Sequence, residues 1–181
     1  MGIFETRLET ERLILRPPSR EDFEPWSRFT ADEQAMRHIG GVQAPPVAWR
    51  SLAAMIGSWH MQGFAMFSVI EKASGEWVGR VGPWQPHGWP GTEVGWSIRR
   101  PSWGRGYATE AATAAIDWAV DHLGWQEVIH TIAPDNTGSQ AVARKLGSSL
   151  LRMGRLPEPH DRDEVQIWGQ GRDQWRARRR G

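Results

Sequence analysis

Apolar positions recur along this chain with two periods. Trp49, Leu52, Ile56 and Trp59 are spaced by three, four and three residues, one face of a helix over about 47–62, and Gly63 suits its C-terminal cap. From Tyr107 to Leu123 the residues Ala108, Ala112, Ile116, Ala119, Val120 and Leu123 oppose a polar stripe of Glu110, Thr113, Asp117 and Asp121, and Gly124 ends the run. Between these helices the period changes. FAMFSVIE (64–71), WVGRVGPW (77–84) and TEVGWSIR (92–99) are short apolar stretches divided by the turn signals KASGE and QPHGWPG. They read as an antiparallel meander, with Val94, Trp96 and Ile98 on one face of the last strand and Glu93, Gly95 and Ser97 on the other.

The flanks complete the pattern. ERLILRPP (11–18) is a first strand stopped by its proline pair, and Ser19 caps a helix through 20–32. GGVQAPP (40–46) is loop. EVIHTIA (127–133) is a strand, Asn136 caps a short helix closed by Gly147, and SLLRMGR (149–155) and EVQIWGQ (164–170) are two final strands around the polar loop LPEPHDRD. The order predicts an α/β (α+β) chain: a mixed, mostly antiparallel sheet of about seven strands with helices on both faces. The strand–helix–strand unit over 92–133 is most simply a right-handed crossover. With no repeat and no linker, residues 1–181 read as one domain, its core at about 8–168.

Composition narrows the class. Hydrophobic residues make up 39% and charged residues 24% of 181, which is globular, and a net charge of +1 advertises no nucleic acid. The basic run RARRRG (176–181) reads as a solvated, frayed tail. The absence of cysteine excludes disulfides, zinc–thiolate sites and a cysteine nucleophile, and the six histidines show no metal-ligand spacing. The charged N-terminus is no signal peptide and no apolar run approaches membrane-spanning length, so the expectation is a cytoplasmic protein without membrane contact. Twelve Trp against one Tyr and five Phe is unusual. Most are expected in the core. An exposed Trp-rich face would suit a homodimer.

The segment RRPSWGRGYATEA (99–111) carries the chemistry. Glycines just before a helix let a ligand approach backbone N–H groups that the helix leaves unpaired and that carry partial positive charge. Such a place holds a phosphate or pyrophosphate, with Arg99, Arg100 and Arg105 adding charge nearby. It is not a Walker loop, because it lacks GxxxxGK(S/T), nor a dinucleotide fingerprint, because Thr109 stands where the third glycine would be.

WGRGYATEA after EVGWSI, and PDNTGSQAVARKLG beyond the next strand, resemble the GNAT superfamily of acetyl-CoA-dependent N-acetyltransferases. LETERLILRPP and ADEQAMRHIGG resemble its ribosomal-protein N-terminal (RimJ/RimL-like) branch. The resemblance implies that Trp103, Gly104, Arg105, Gly106, Tyr107 and Ala108, with Thr109, form the loop that holds the CoA pyrophosphate through backbone N–H groups. Trp103 departs from the usual Arg or Gln. It implies that the strands at 92–99 and 127–133 splay, that Ile98 and its neighbours offer backbone hydrogen bonds to the pantetheine arm, and that Asn136 contacts the same arm. Ser139 matches a serine that protonates the leaving thiolate, and Glu93 stands where the superfamily often places an acid.

The implied reaction is direct attack of an amine on a thioester. The amine must first lose its proton, for which Glu93 is the first candidate base and His130 the second, although a strand histidine is more often a satisfied hydrogen-bonding residue. His160, Asp161, Asp163 and Glu164 read as loop charge. Trp49, Trp59, Trp84 and Trp89 are candidates to line the acceptor side. The acceptor is a small-molecule amine or a protein N-terminus. Two other readings stay open, a CoA-binding protein without catalysis and a Trp-rich binding module without CoA.

Overall fold

The computed structural model describes residues 6–162 and 164–180, so Asp163 and the N-terminal five residues lie outside the described residues. Its strands are β1 (Leu8–Glu9), β2 (Leu13–Arg16), β3 (Phe67–Glu71), β4 (Trp77–Trp84), β5 (Glu93–Ile98), β6 (Glu127–Ile132), β7 (Ser149–Arg155) and β8 (Glu164–Gly171). Its helices are α1 (Phe23–Thr30), α2 (Glu33–Met36), α3 (Pro45–Gln62), α4 (Tyr107–His122), α5 (Thr137–Leu146) and α6 (Arg172–Arg180). One sheet joins all eight strands in the order β1-β2-β3-β4-β5-β6-β8-β7. Every neighbouring pair is antiparallel except β5 and β6. The strand beyond the expected seven is the two-residue β1, too short to show a period.

Local signals set the element ends. Pro45 opens α3 with a pre-set φ, and Gly63 closes it at φ 79 with its N–H on Trp59 O at 3.1 Å. Asn136 caps α5 through Oδ1, which accepts from Ser139 N at 3.0 Å, and Gly147 closes that helix at φ 89. The helix expected over 20–32 divides into a 3-10 turn at Arg20–Asp22, α1 and then α2. Asp32 makes the new start, accepting from the N–H groups of Gln34 and Ala35.

Both sheet faces are covered. Trp26 and Phe29 of α1 pack against Trp77 on one face, and Trp118 of α4 packs against Phe67 on the other. The buried face of α3 is Ala48, Leu52, Met55 and Trp59, rotated from the expected one, so that Trp49 stays 45% exposed. Trp59 is therefore core, between Phe67 and Trp118, and does not line an acceptor site. Six of the twelve tryptophans (Trp26, Trp59, Trp77, Trp125, Trp168 and Trp175) are buried, as expected of a core use.

The basic C-terminal run is helical, in contrast to the frayed tail expected from its composition. Trp175 anchors α6 in the main core at 2% exposure, its Nε1 donating to Asp117 Oδ1 of α4 at 2.8 Å. Arg179 pairs with the same carboxylate and Arg176 with Asp121. Replacing Trp175 with Ala is expected to cost about 3–5 kcal/mol, the usual loss for emptying a buried Trp site. Urea denaturation of the variant beside the wild type measures it.

Candidate functional site

The seam between β5 and β6 is where the sheet opens. β4 and β5 pair over six residues, from Trp84↔Glu93 to Gly79↔Ile98, and β6 and β8 pair over six more. β5 and β6 pair only at Glu93↔Ile129, where Ile129 N donates to Thr92 O at 2.9 Å. Beyond that point they part. Arg99 N donates to Val78 O, so hydrogen-bonded and non-hydrogen-bonded pairs alternate back along β5 from there. The backbone groups of Trp96 and Ile98 consequently point away from β4, into the opening. The Ile98 carbonyl is taken by Trp103 Nε1 at 2.6 Å, which leaves its N–H.

Two side chains close the narrow end of the seam. Glu93 is buried on one face, its Oε1 accepting from Thr131 N at 3.1 Å, both oxygens meeting Thr131 Oγ1, and Oε2 accepting from Trp89 Nε1. Burial pushes its pKa up to about 7, against the pull of those donors. Period-two alternation sets this carboxylate on the face opposite Val94, Trp96 and Ile98 and carries no information on what covers it. It is covered because the loop 85–92 folds back over β5, bringing Trp89 onto Glu93 and against Trp84. Trp84 and Trp89 thus stand beside Glu93. Nearby loops crowd the same end, since a Cβ added at Gly88 would meet Pro157 at 3.4 Å and one at Gly40 would meet His160 at 3.6 Å. His160 and Asp161 are exposed, and Glu164 opens β8.

His130 fills the opposite face of the seam. A carbonyl only accepts, so Nδ1–H donates to Val94 O at 2.7 Å, and Nε2 accepts from Ser148 Oγ at 3.0 Å. Gln170 Nε2 donates to the same hydroxyl. Burial drags the imidazole down to about 4. Both nitrogens are occupied, so His130 is a structural residue here and not a base. Because its folded pKa lies below the unfolded value near 6.5, the neutral ring's contribution is present above pH 6.5 and is lost as pH falls through 4. Stability in urea is expected to fall across that window, and His130→Gln is expected to flatten the slope.

Ser139, at the start of α5, lies on the His130 face. Its Oγ accepts from Trp96 Nε1 at 3.2 Å, and its own hydrogen has no acceptor among the described residues. Glu93 and Ser139 therefore flank the seam from opposite faces, because the odd and even residues of β5 point to opposite sides.

At the wide end, β5 runs into the glycine loop. Gly104 and Gly106 adopt φ 72 and 80, a region that a side chain strains, and Gly106 starts α4 with no side-chain cap. The first N–H groups of a 16-residue helix therefore open onto an exposed turn. The loop arginines are not free charges. Arg99 pairs with Glu76, Arg100 with Asp32 at 2.9 Å and Arg105 with Glu71 at 2.7 Å. Any anion here is met chiefly by backbone dipoles. The Tyr107 side chain turns into the core, its hydroxyl donating to Glu71, so only its backbone faces the loop. The Ser74 and Tyr107 hydroxyls hold the Glu71 carboxyl below the usual range.

Arg12 was missed as a site residue. Its guanidinium packs over Tyr107, donates to Arg105 O at 2.9 Å and pairs with Glu110 of α4. It buttresses the loop from β2, about ninety residues upstream, a separation over which no local pattern acts. Beside the α4 N-terminus a groove of about 460 Å³ is lined by Thr109, Thr113, Lys145, Leu146, Trp175, Arg178 and Arg179.

A family description, acetyltransferase (GNAT) domain, matches residues 12–149. The chain belongs to the GNAT acetyltransferase family. It is 30% identical over 153 residues to p20, an uncharacterized N-acetyltransferase of Bacillus licheniformis, covering 80% of this chain and 85% of that one. The fold is similar to that of an acetyltransferase from Agrobacterium tumefaciens, with a TM-score of 0.81 and 29% identity over 92% of this chain and 95% of the other. It is also similar to Mycobacterium smegmatis RimJ in complex with CoA-disulfide, with a TM-score of 0.68 and 20% identity over 89% and 82% of the two chains. This GNAT protein is thus an N-acetyltransferase whose family chemistry is acetyl transfer from acetyl-CoA. Among its described residues no helix is long and apolar enough to cross a membrane, and no cluster of three or more His, Asp or Glu is placed to hold a metal.

Proposed function

We propose that this GNAT acetyltransferase moves the acetyl group of acetyl-CoA to a primary amine by direct attack across the β5–β6 seam, as a cytoplasmic enzyme of the RimJ/RimL-like branch. The observation that carries it is the pairing, at the two ends of one opening, of an uncapped helix N-terminus and a buried carboxylate with a pKa of about 7. The residues present fit the co-substrate. N–H groups of residues 104–109 hold the pyrophosphate, and Lys145 and Arg178 offer positive charge to a further phosphate. The backbone of Trp96 and Ile98 takes the pantetheine arm, with Asn136 beside it.

Glu93 accepts the proton of the attacking ammonium. A group titrating near 7 is half ionised at working pH and basic enough to take that proton, directly or through one water. Thr131 and Trp89 orient it. Backbone N–H groups at the seam stabilise the developing oxyanion. As the N–C bond forms and the C–S bond breaks, the nitrogen loses its second proton to solvent, and Ser139, on the far face, passes its uncommitted hydrogen to the departing thiolate and regains one from solvent, so proton removal and proton delivery occur on opposite sides of the sheet.

Calorimetric titration of acetyl-CoA, followed by thiol release with a panel of amines, tests this. Saturable binding with amine-dependent release of CoA is expected. Binding without release for any amine would favour a CoA-binding protein of the same fold, and no binding would remove both.

A further inference from the structure

Arg80 is a charge without a counter-ion among the described residues. It lies on β4, paired in register with Ser97 of β5, as Trp84 is with Glu93. Residues 80, 82 and 84 therefore share a face with 93, 95 and 97, the face on which Glu93 sits. Its guanidinium packs over the Trp26 ring of α1, 4.8 Å from the centroid. The Nε is sealed from solvent with no hydrogen-bond partner, and the terminal nitrogens have no protein partner among the described residues either. Burial alone draws the group down to about 10.

Among the described residues two buried carboxylates, Asp22 and Glu93, share this side of the sheet, and neither reaches Arg80. Asp22 is taken by Arg16 at 2.7 and 2.9 Å, by Ser19 N and by Ser68 Oγ. Glu93 is held by Thr131 and Trp89. A buried guanidinium is ordinarily paired, because leaving it unpaired forfeits its hydration with nothing in return. Arg80 keeps part of its surface open, and its register partner Ser97 adjoins Trp96, whose backbone lines the seam. Between Arg80 and Glu93 the two strands present only Gly82 and Gly95, with the flexible Met66 side chain against Gly95. From Ser97 to Glu93 is four residues of strand, about 13 Å.

We infer that Arg80 is the anchor for a carboxylate on the acceptor, so that the substrate class is an amine that also carries an acid group. A forked donor with free terminal nitrogens matches a carboxylate in geometry, and the Trp26 face holds the fork flat. A polyamine or an aminoglycoside would bring further positive charge against it. This inference rests on the acetyl-transfer reading of the seam and adds the acceptor's second group.

Amino acids of increasing chain length, each paired with its amide and compared at equal concentration of free amine, test it by acetyl-CoA turnover. An Asp-initiated peptide beside its Asn-initiated twin distinguishes a protein N-terminus from a free amino acid as the source of the acid. The acids are expected to exceed the amides in kcat/KM by about tenfold or more, the worth of one charge-assisted hydrogen-bonded contact. Arg80→Lys should reduce that ratio several-fold and Arg80→Met should bring it near one. An acid-to-amide ratio near one in the wild type overturns the inference while leaving acetyl transfer standing, and so does a ratio that Arg80→Met leaves unchanged.

A readout free of turnover covers the case in which no amine of the panel reacts. The Arg80 Nε–H resonance, assigned by its absence from the Arg80→Lys spectrum, should shift with an N-acetylated amino acid in the presence of CoA and not with the corresponding amide. Equal response to both, or to neither, overturns the proposal. Absence of acetyl-CoA binding, by contrast, overturns the acetyl-transfer reading itself.

Discussion

Glu93→Gln is expected to lower kcat/KM by about 10²–10⁴, the usual worth of a positioned general base. In the wild type, log(kcat/KM) should rise with pH up to about 7, where the buried carboxyl ionises. The variant should lose that limb and keep only the rise from the acceptor's own ammonium at higher pH. Stability supplies an independent check with the opposite sign. The folded pKa lies above the unfolded value of about 4.5, so the folded chain holds this proton more tightly. The contribution is full below pH 4.5 and is lost as pH rises through 7. At pH 8 the wild type carries a buried carboxylate at a cost of about 3 kcal/mol. Urea denaturation should therefore find Glu93→Gln more stable than the wild type at pH 8 and not at pH 4. Retention of the limb near pH 7 by the variant would move the role of base to another group.

Gly106→Glu is expected to weaken acetyl-CoA binding by about a hundredfold or more. The residue sits at φ 80, where a Cβ strains the backbone by about 1–2 kcal/mol, and the new carboxylate would face the partial positive charge meant for phosphate. The space itself is open, with only Arg12 Nη2 3.5 Å from an added Cβ, so the fold should survive. Gly104→Ala separates the two effects. It imposes similar strain at φ 72 with nothing within 4 Å and adds no charge, so its loss should be much smaller. Calorimetry on the three proteins, with circular dichroism to confirm α4, decides it. Equal affinities would detach the glycine turn from the co-substrate.

The proposed mechanism draws on both faces of the seam. Glu93 and Ser139 belong to different layers of the molecule, one under the loop 85–92 and one on α5, and only the parting of β5 from β6 brings both to one opening. His130 illustrates the opposite case. A histidine next to the seam looks like acid–base chemistry, yet the chain from Gln170 through Ser148 to Val94 O consumes both of its nitrogens.

What could be read from the chain alone is what acts over a few residues. The helix at 107–122, the caps at Asn136, Gly63 and Gly147, the meander at 67–98 and the left-handed glycines of the turn all follow from periodicity and from the backbone freedom of single residues, so their neighbours in sequence suffice. The resemblance of ordered segments added the family. Hidden from such a reading was everything that depends on which distant segment lies on top. Two of the hydrogen-bond donors that hold Glu93 come from Thr131, thirty-eight residues on, and the bracing of the turn from Arg12, ninety-three residues before Arg105. The basic tail is ordered by Asp117, fifty-eight residues before Trp175. Arg80 reads as an ordinary strand arginine until Asp22 is found already paired with Arg16. Charge state and exposure are properties of the assembled surroundings, and a period of two or 3.6 residues carries no information about them.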